Sequence, residues 1–93
     1  MFDRILREMR DKIRNRKYIM SIHGDEEMDE DSLSIYDLEH CILTGKILER
    51  QKDKDTAERK YRIDGKSLSG GKLEVVAKIS PTGRLVIITV YVP

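Results

Sequence analysis

Histidine ionises near neutral pH and can take or give a proton during a reaction, and the chain has two, His23 and His40. His23 follows an apolar stretch with period two, which places it at a strand-to-loop junction where a side chain is held and still reaches solvent. His40 falls inside a helical pattern beside Cys41 and reads as a partly exposed helix residue. Glu74 and Tyr91 are further groups that could move a proton, and Arg62, Lys78 and Arg84 could supply positive charge. Such a set suits cleavage of RNA without a metal. A base removes the 2′-hydroxyl proton, an acid protonates the departing 5′ oxygen, and cations stabilise the charge on the phosphorane. Each residue also has a plainer role open to it. Glu74 and Lys78 could be a surface pair on one strand face, Arg84 a turn residue, Tyr91 half-buried packing, and His23 a structural imidazole.

Other motifs fall away on their chemistry. The segment GKSLSGGK at 65–72 has Gly71 where a phosphate-binding loop needs its lysine, and it joins two strands instead of opening a helix. Ser69-Gly70-Gly71-Lys72 matches S-x-x-K formally, without that motif's companions. The acidic run at 25–31 has Glu30 where a calcium loop needs its central glycine. One Cys and two His at separations of 17 and 1 cannot enclose zinc. No metal and no cofactor is expected.

A chain of 93 residues with 39% hydrophobic content reads as one small domain spanning residues 1–93. The single Cys41 cannot form a bridge within the chain, so stability rests on a modest core that a partner could complete. Cysteine usage and the absence of a signal-like or membrane-spanning apolar run point to the reduced cytoplasm and away from membranes. The formal charge of +1 conceals segregation. Residues 1–20 hold seven basic and three acidic residues, and residues 21–40 hold eight acidic and no basic ones. Outside that acidic block the chain is +9, enough to attract a polyanion locally even though the whole is nearly neutral.

The elements that must position these residues follow from period. Phe2, Ile5, Leu6, Met9 and Ile13 mark an amphipathic helix over 3–16, with Asp3 able to cap its first turn. A strand is expected over 18–23, with Tyr18, Met20 and Ile22 on one face. Gly24 then turns the chain, and 25–31 forms an exposed helical turn or loop. Ser34 with Asp37 three residues later is capping-box-like, and Ile35, Leu38, Cys41 and Ile42 form the stripe of a second helix ended by Gly45. Strands follow from Ile47-Leu48, around Tyr61 and Ile63, and over 73–79. The tight turn Pro81-Thr82-Gly83 leads into a last strand, 85–92, apolar on both faces and therefore central. A charged connector at 52–60 separates the first two of these. The expected fold is α+β, with two helices packed on one face of a mainly antiparallel, strongly twisted sheet of four to five strands. The opposite face would display Arg62, Glu74 and Lys78.

The stretches 18–23 and 34–45, together with YRIDG (61–65), LEVVA (73–77) and IITVY (87–91), resemble the DUF4258 family of small bacterial proteins over nearly the whole chain from about Tyr18. That family is similar in order to the metal-independent ribonuclease toxins with a RelE- or barnase-like sheet and to the MqsR type of mRNA interferase. The resemblance implies cleavage of RNA, with messenger RNA as substrate, and a neighbouring antitoxin protein that carries a zinc finger. It places the family's histidine on His23 and its closing threonine and tyrosine on Thr89 and Tyr91. The family's basic residue after the histidine is replaced here by acid, in Gly24-Asp25-Glu26-Glu27-Met28, which opposes phosphate contact. Two functions therefore stand side by side. One is a toxin-like endoribonuclease using His23, Tyr91 and Glu74 with Arg62, Lys78 and Arg84 on the substrate. The other is a noncatalytic interaction domain, or degenerate toxin, acting as a homodimer.

Overall fold

The computed structural model describes residues 2–52, 55 and 58–93. Its elements are α1 (Asp3–Arg14), β1 (Tyr18–Met20), α2 (Ile22–Glu30), α3 (Ile35–Thr44), β2 (Lys46–Lys52), β3 (Arg59–Lys66), β4 (Lys72–Ile79) and β5 (Leu85–Tyr91). The five strands form one sheet in the order β1-β5-β4-β3-β2. Neighbours from β2 to β5 pair antiparallel, whereas β1 runs parallel to β5. The fold is α+β, with helices packed on a mixed five-stranded sheet.

One face of the sheet is the core. Tyr61 and Ile63 of β3, Leu73, Val75 and Ala77 of β4, and Leu85, Ile87 and Val90 of β5 are buried there with Leu38, Cys41 and Ile42 of α3 and Met9 and Ile13 of α1. Leucine and isoleucine side chains buried in this way contribute about 1.5–3 kcal/mol each. The Cys41 thiol, pushed up to about 12 first by burial and then by Asp64 and Glu74, donates to Leu73 O at 3.4 Å. It stays protonated at neutral pH and behaves as a small core residue.

Helix ends follow local chemistry. Ser34 and Asp37 form the expected capping box at α3. Gly45 ends that helix, though not through a left-handed conformation, since its φ is −87°. A glycine stands there because a Cβ would collide with the carbonyl oxygen of Asp64 in β3. The same close approach recurs at Gly65, where a Cβ would lie 2.7 Å from Cys41 O. Arg10 of α1 donates to Ile42 O at 3.0 Å and to Gly45 O at 2.7 Å, so α1 caps the C-terminal carbonyls of α3.

Several expectations are corrected. The first helix ends at Arg14 and not at residue 16, because Arg16 turns to φ 56°. Phe2 occupies its N-cap position, and Asp3 lies in the first turn without capping. The strand expected over 18–23 stops at Met20, and Ile22 and His23 already belong to α2. The acidic segment, expected as an exposed helical turn or loop, is helical and forms the body of α2, so among the described residues three helices accompany the sheet and not two. Its turns are not wholly solvated, since Gly24 and Met28 are buried and Met28 joins the core. Within the connector expected at 52–60, Lys52, Arg59 and Lys60 are strand residues, while Asp53, Lys54, Thr56 and Ala57 lie outside the described residues.

Candidate active site

The open face of the sheet is set by register. Arg62 lies opposite Glu49 and Val76, Glu74 opposite Asp64 and Tyr91, and Lys78 opposite Val86. Simple alternation along β5 would turn Tyr91 into the core, because Leu85 and Ile87 are buried. A bulge prevents this. Ala77 pairs with Ile87 and Val76 with Thr89, which leaves Ile88 as an extra residue. The bulge flips the parity, so Val90 is buried and Thr89 and Tyr91 face outward beside Glu74 and Arg62.

On that face the Tyr91 hydroxyl donates to Glu74 Oε1 at 3.0 Å, and Arg62 Nη1 lies 3.2 Å from the same oxygen. Arg62 Nε is 3.2 Å from Glu49 Oε1, buried and off the line of a hydrogen bond. Glu74 is 8% exposed despite facing away from the core, because Tyr91 and Arg62 lie over it. Desolvation first, and then the bond to Glu74, raise the Tyr91 phenol above its ordinary 10.0 against the opposing influence of Arg62. The phenol is therefore a proton carrier throughout the neutral range. Arg62 is held above the usual guanidinium value by its hydrogen bond to Tyr91 and then by Glu49 and Glu74.

His23 stands on α2 at the edge of β5. The three-residue β1 covers only the first part of the β5 edge, pairing as far as Met20 with Ile87. Beyond it α2 takes over the edge. Ser21 N donates to Ile87 O at 2.9 Å, and Ser21 Oγ donates to Ile88 O at 2.8 Å while accepting from Gly24 N at 3.0 Å as N-cap. Glu27 Oε1 accepts from Val90 N at 3.1 Å and stands 3.4 Å from His23 Nε2. One carboxylate oxygen thus bridges the imidazole and the amide next to Tyr91. The His23 side chain is 68% exposed. An edge amide that would otherwise be orphaned is satisfied, and an imidazole is held open to solvent beside it.

The other expected residues are placed differently. Lys78 shares the open face but lies four residues along β4 from Glu74, about 13 Å, and is bonded to Glu58. Arg84 precedes β5, at the end of that strand opposite Tyr91, and lines a surface depression with Lys12, Arg16 and Lys17. The structure therefore brings together Arg62, Glu74 and Tyr91, sets His23 at the adjoining edge, and leaves Lys78 and Arg84 apart. Sequence reasoning missed Ser21, Glu27 and Glu49. The signal for the first two was present, as a serine before an acidic first turn and a glutamate one helical turn after the histidine. Among the described residues no group of three or more His, Cys, Asp or Glu could hold a metal ion, and no helix is long and apolar enough to cross a membrane.

The profile of the family described as Domain of unknown function (DUF4258) matches residues 20–92. The chain belongs to the DUF4258 family. No curated protein and no solved structure matches it. The DUF4258 region takes in α2 and strands β2 to β5, and with them His23, Glu27, Arg62, Glu74 and Tyr91. Helix α1, which caps α3 through Arg10, lies ahead of it.

Proposed function

We propose that this DUF4258 protein is a metal-independent endoribonuclease of the toxin type, similar to the RelE and MqsR interferases, that acts on messenger RNA. The observation that carries the reading is the shared Glu27 oxygen, which holds an exposed imidazole beside the strand end where Tyr91, Glu74 and Arg62 meet. With Nε2 turned to Glu27, the Nδ1 atom of His23 is the basic nitrogen and takes the 2′-hydroxyl proton. The 2′ oxygen bonds to phosphorus, the bond from phosphorus to the 5′ oxygen breaks, and Tyr91 supplies the proton to that leaving oxygen. Glu74 holds the phenol in place, and Arg62 offsets the charge that develops on the phosphoryl oxygens. The products are a 2′,3′-cyclic phosphate and a 5′-hydroxyl. Lys78 and Arg84 lie along the same molecule as longer-range attraction for the chain of phosphates. A small zinc-finger protein as antitoxin is the partner this reading entails, and the reduced cytoplasm its compartment.

A second reading is favoured by one specific observation. Two cations expected to hold the phosphate are already paired, Arg62 with Glu49 and Glu74 and Lys78 with Glu58. A noncatalytic interaction domain, a degenerate toxin working as a homodimer, needs no free cation there. Incubation of the purified protein with RNA in EDTA separates the two. Cleavage that disappears in His23→Ala supports the nuclease, and intact RNA with a stable dimer supports the interaction domain.

A further inference from the structure

Beyond Tyr91 and Glu74 the open face continues for one more pair of residues, and that pair is unusual. Lys66 and Lys72 lie directly opposite one another on β3 and β4. Like charges in this cross-strand position repel and destabilise the sheet. Neither forms an ion pair among the described residues, and neither does Lys46, which lies opposite Asp64 on β2. All three lysines line a cavity of about 450 Å³ at the end of the sheet, together with His40, Thr44, Asp64 and the backbone of Gly45 and Gly65. The C-terminus of α3 opens on this cavity, and its negative pole would repel an anion. Arg10 offsets it, since the guanidinium bonds to Ile42 O and Gly45 O.

We infer that this cavity is a subsite for single-stranded RNA, in which Lys66 and Lys72, with Lys46, hold the phosphate next to the one that is cut. Asp64, the one carboxylate among the lining residues, accepts from a ribose hydroxyl or a base amino group. The inference deepens the ribonuclease reading and rests on it for the identity of the ligand. The register supplies the continuity. Lys72 is two residues from Glu74 on the same face, about 6.6 Å along the strand, so a chain lying over Tyr91 runs onto the lysine pair and, past the end of the sheet, meets the cavity that α3 bounds from the core side. An anion between the two lysines removes the repulsion that the empty pair carries.

The test uses the full chain and a tetranucleotide of 2′-O-methyl RNA, which lacks the attacking hydroxyl and is not cut. Its binding is followed by fluorescence anisotropy across a range of salt concentrations. In the variant Lys46→Gln/Lys66→Gln/Lys72→Gln, affinity at low salt is expected to fall about tenfold. The slope of log affinity against log salt is expected to flatten by about 0.7, the contribution of the one phosphate that the three lysines share. The control Lys12→Gln/Lys17→Gln, at the other basic depression, is expected to bind like the unaltered chain. Unchanged binding by the triple variant, an equal loss in the control, or no binding by the unaltered chain overturns the subsite. Cleavage of ordinary RNA in EDTA is read separately. A chain that cuts RNA while the triple variant binds undiminished loses the subsite and keeps the nuclease. A chain that cuts nothing while its binding depends on the three lysines keeps the subsite and loses the nuclease.

Discussion

Ser21 Oγ donates to the carbonyl of Ile88, the extra residue of the β5 bulge, at 2.8 Å, and the same oxygen accepts from Gly24 N to cap α2. One hydroxyl therefore joins the helix that carries His23 to the irregularity that turns Tyr91 outward. A Cβ at Gly24 would lie 3.3 Å from that hydroxyl and 3.4 Å from Ile88 O, which shows how closely the helix is seated on the strand. Replacement Ser21→Ala removes both bonds. It should cost about 1–2 kcal/mol, the upper range for an N-cap, in urea denaturation. It should also lower RNA cleavage by more than the lost stability explains at a temperature where the variant is fully folded. Cleavage equal to that of the unaltered chain would show that the linkage does not position the site.

Glu27 separates a structural from a chemical role. In Glu27→Ala the amide of the buried Val90 loses its acceptor, at a cost of about 1–3 kcal/mol. In Glu27→Gln an oxygen still accepts from that amide, and stability should stay within about 1 kcal/mol of the starting value. The charge beside His23 Nε2 is gone in both variants, so both should cleave RNA at least about tenfold more slowly. Denaturation midpoints and initial cleavage rates measured side by side check the pattern. A Gln variant with full activity would leave Glu27 a purely structural acceptor.

Asp37 links α3 to the loop after β3, and its carboxyl lies below the ordinary 3.8 chiefly through the backbone N–H of Ser34 and then that of Leu68. A depressed carboxyl contributes stability that is fully present above its unfolded value and lost as pH falls through the folded one. The unaltered chain should therefore lose stability below about pH 4, and Asp37→Asn should lose less over that interval. Ser34→Ala, which removes the other half of the capping box, should cost about 1 kcal/mol at neutral pH. Parallel acid denaturation of the three proteins measures both effects.

At the alkaline end, Tyr18 carries the opposite sign. Its hydroxyl donates to Glu39 Oε2 at 2.6 Å, and burial first, with that bond next, raises it above its ordinary 10.0. A raised group contributes stability that is intact below the unfolded value and lost as pH climbs through the folded one. The unaltered chain should lose stability above about pH 10, and Tyr18→Phe should show a shallower decline. Thermal midpoints between pH 8 and pH 11 test it, and identical slopes in the two proteins would contradict it.

Much of the sheet was legible because β3 and β4 alternate with period two and β5 is an apolar run that follows a clear turn. The capping box at Ser34 and Asp37 was legible for the same local reason. Arg62, Glu74 and Lys78 could be assigned to the non-core face from alternation alone. Tyr91 could not, since its side is decided by one extra residue at Ile88, and a bulge leaves no period of its own in a strand apolar on both faces. The segment from Tyr18 to His23 misled because Tyr18, Met20 and Ile22 alternate like a strand. Tertiary contact with β5 ends the strand after three residues, and Ser21 starts a helix. Parallel pairing of β1 with β5 joins residues far apart in sequence and has no local signature. The separation of Lys78 and Arg84 from Tyr91 likewise depends on register and strand length, which residue type does not encode.

The most direct measurement is cleavage of a single-stranded RNA by the purified chain in EDTA, with the 3′ ends of the products identified chemically. The expected result is a 2′,3′-cyclic phosphate from the unaltered chain, little or no product from His23→Ala, and a marked loss in Tyr91→Phe with the fold intact by circular dichroism. RNA left whole by the unaltered chain, or cut equally well by His23→Ala, would contradict the proposal that His23 and Tyr91 work together on the phosphodiester.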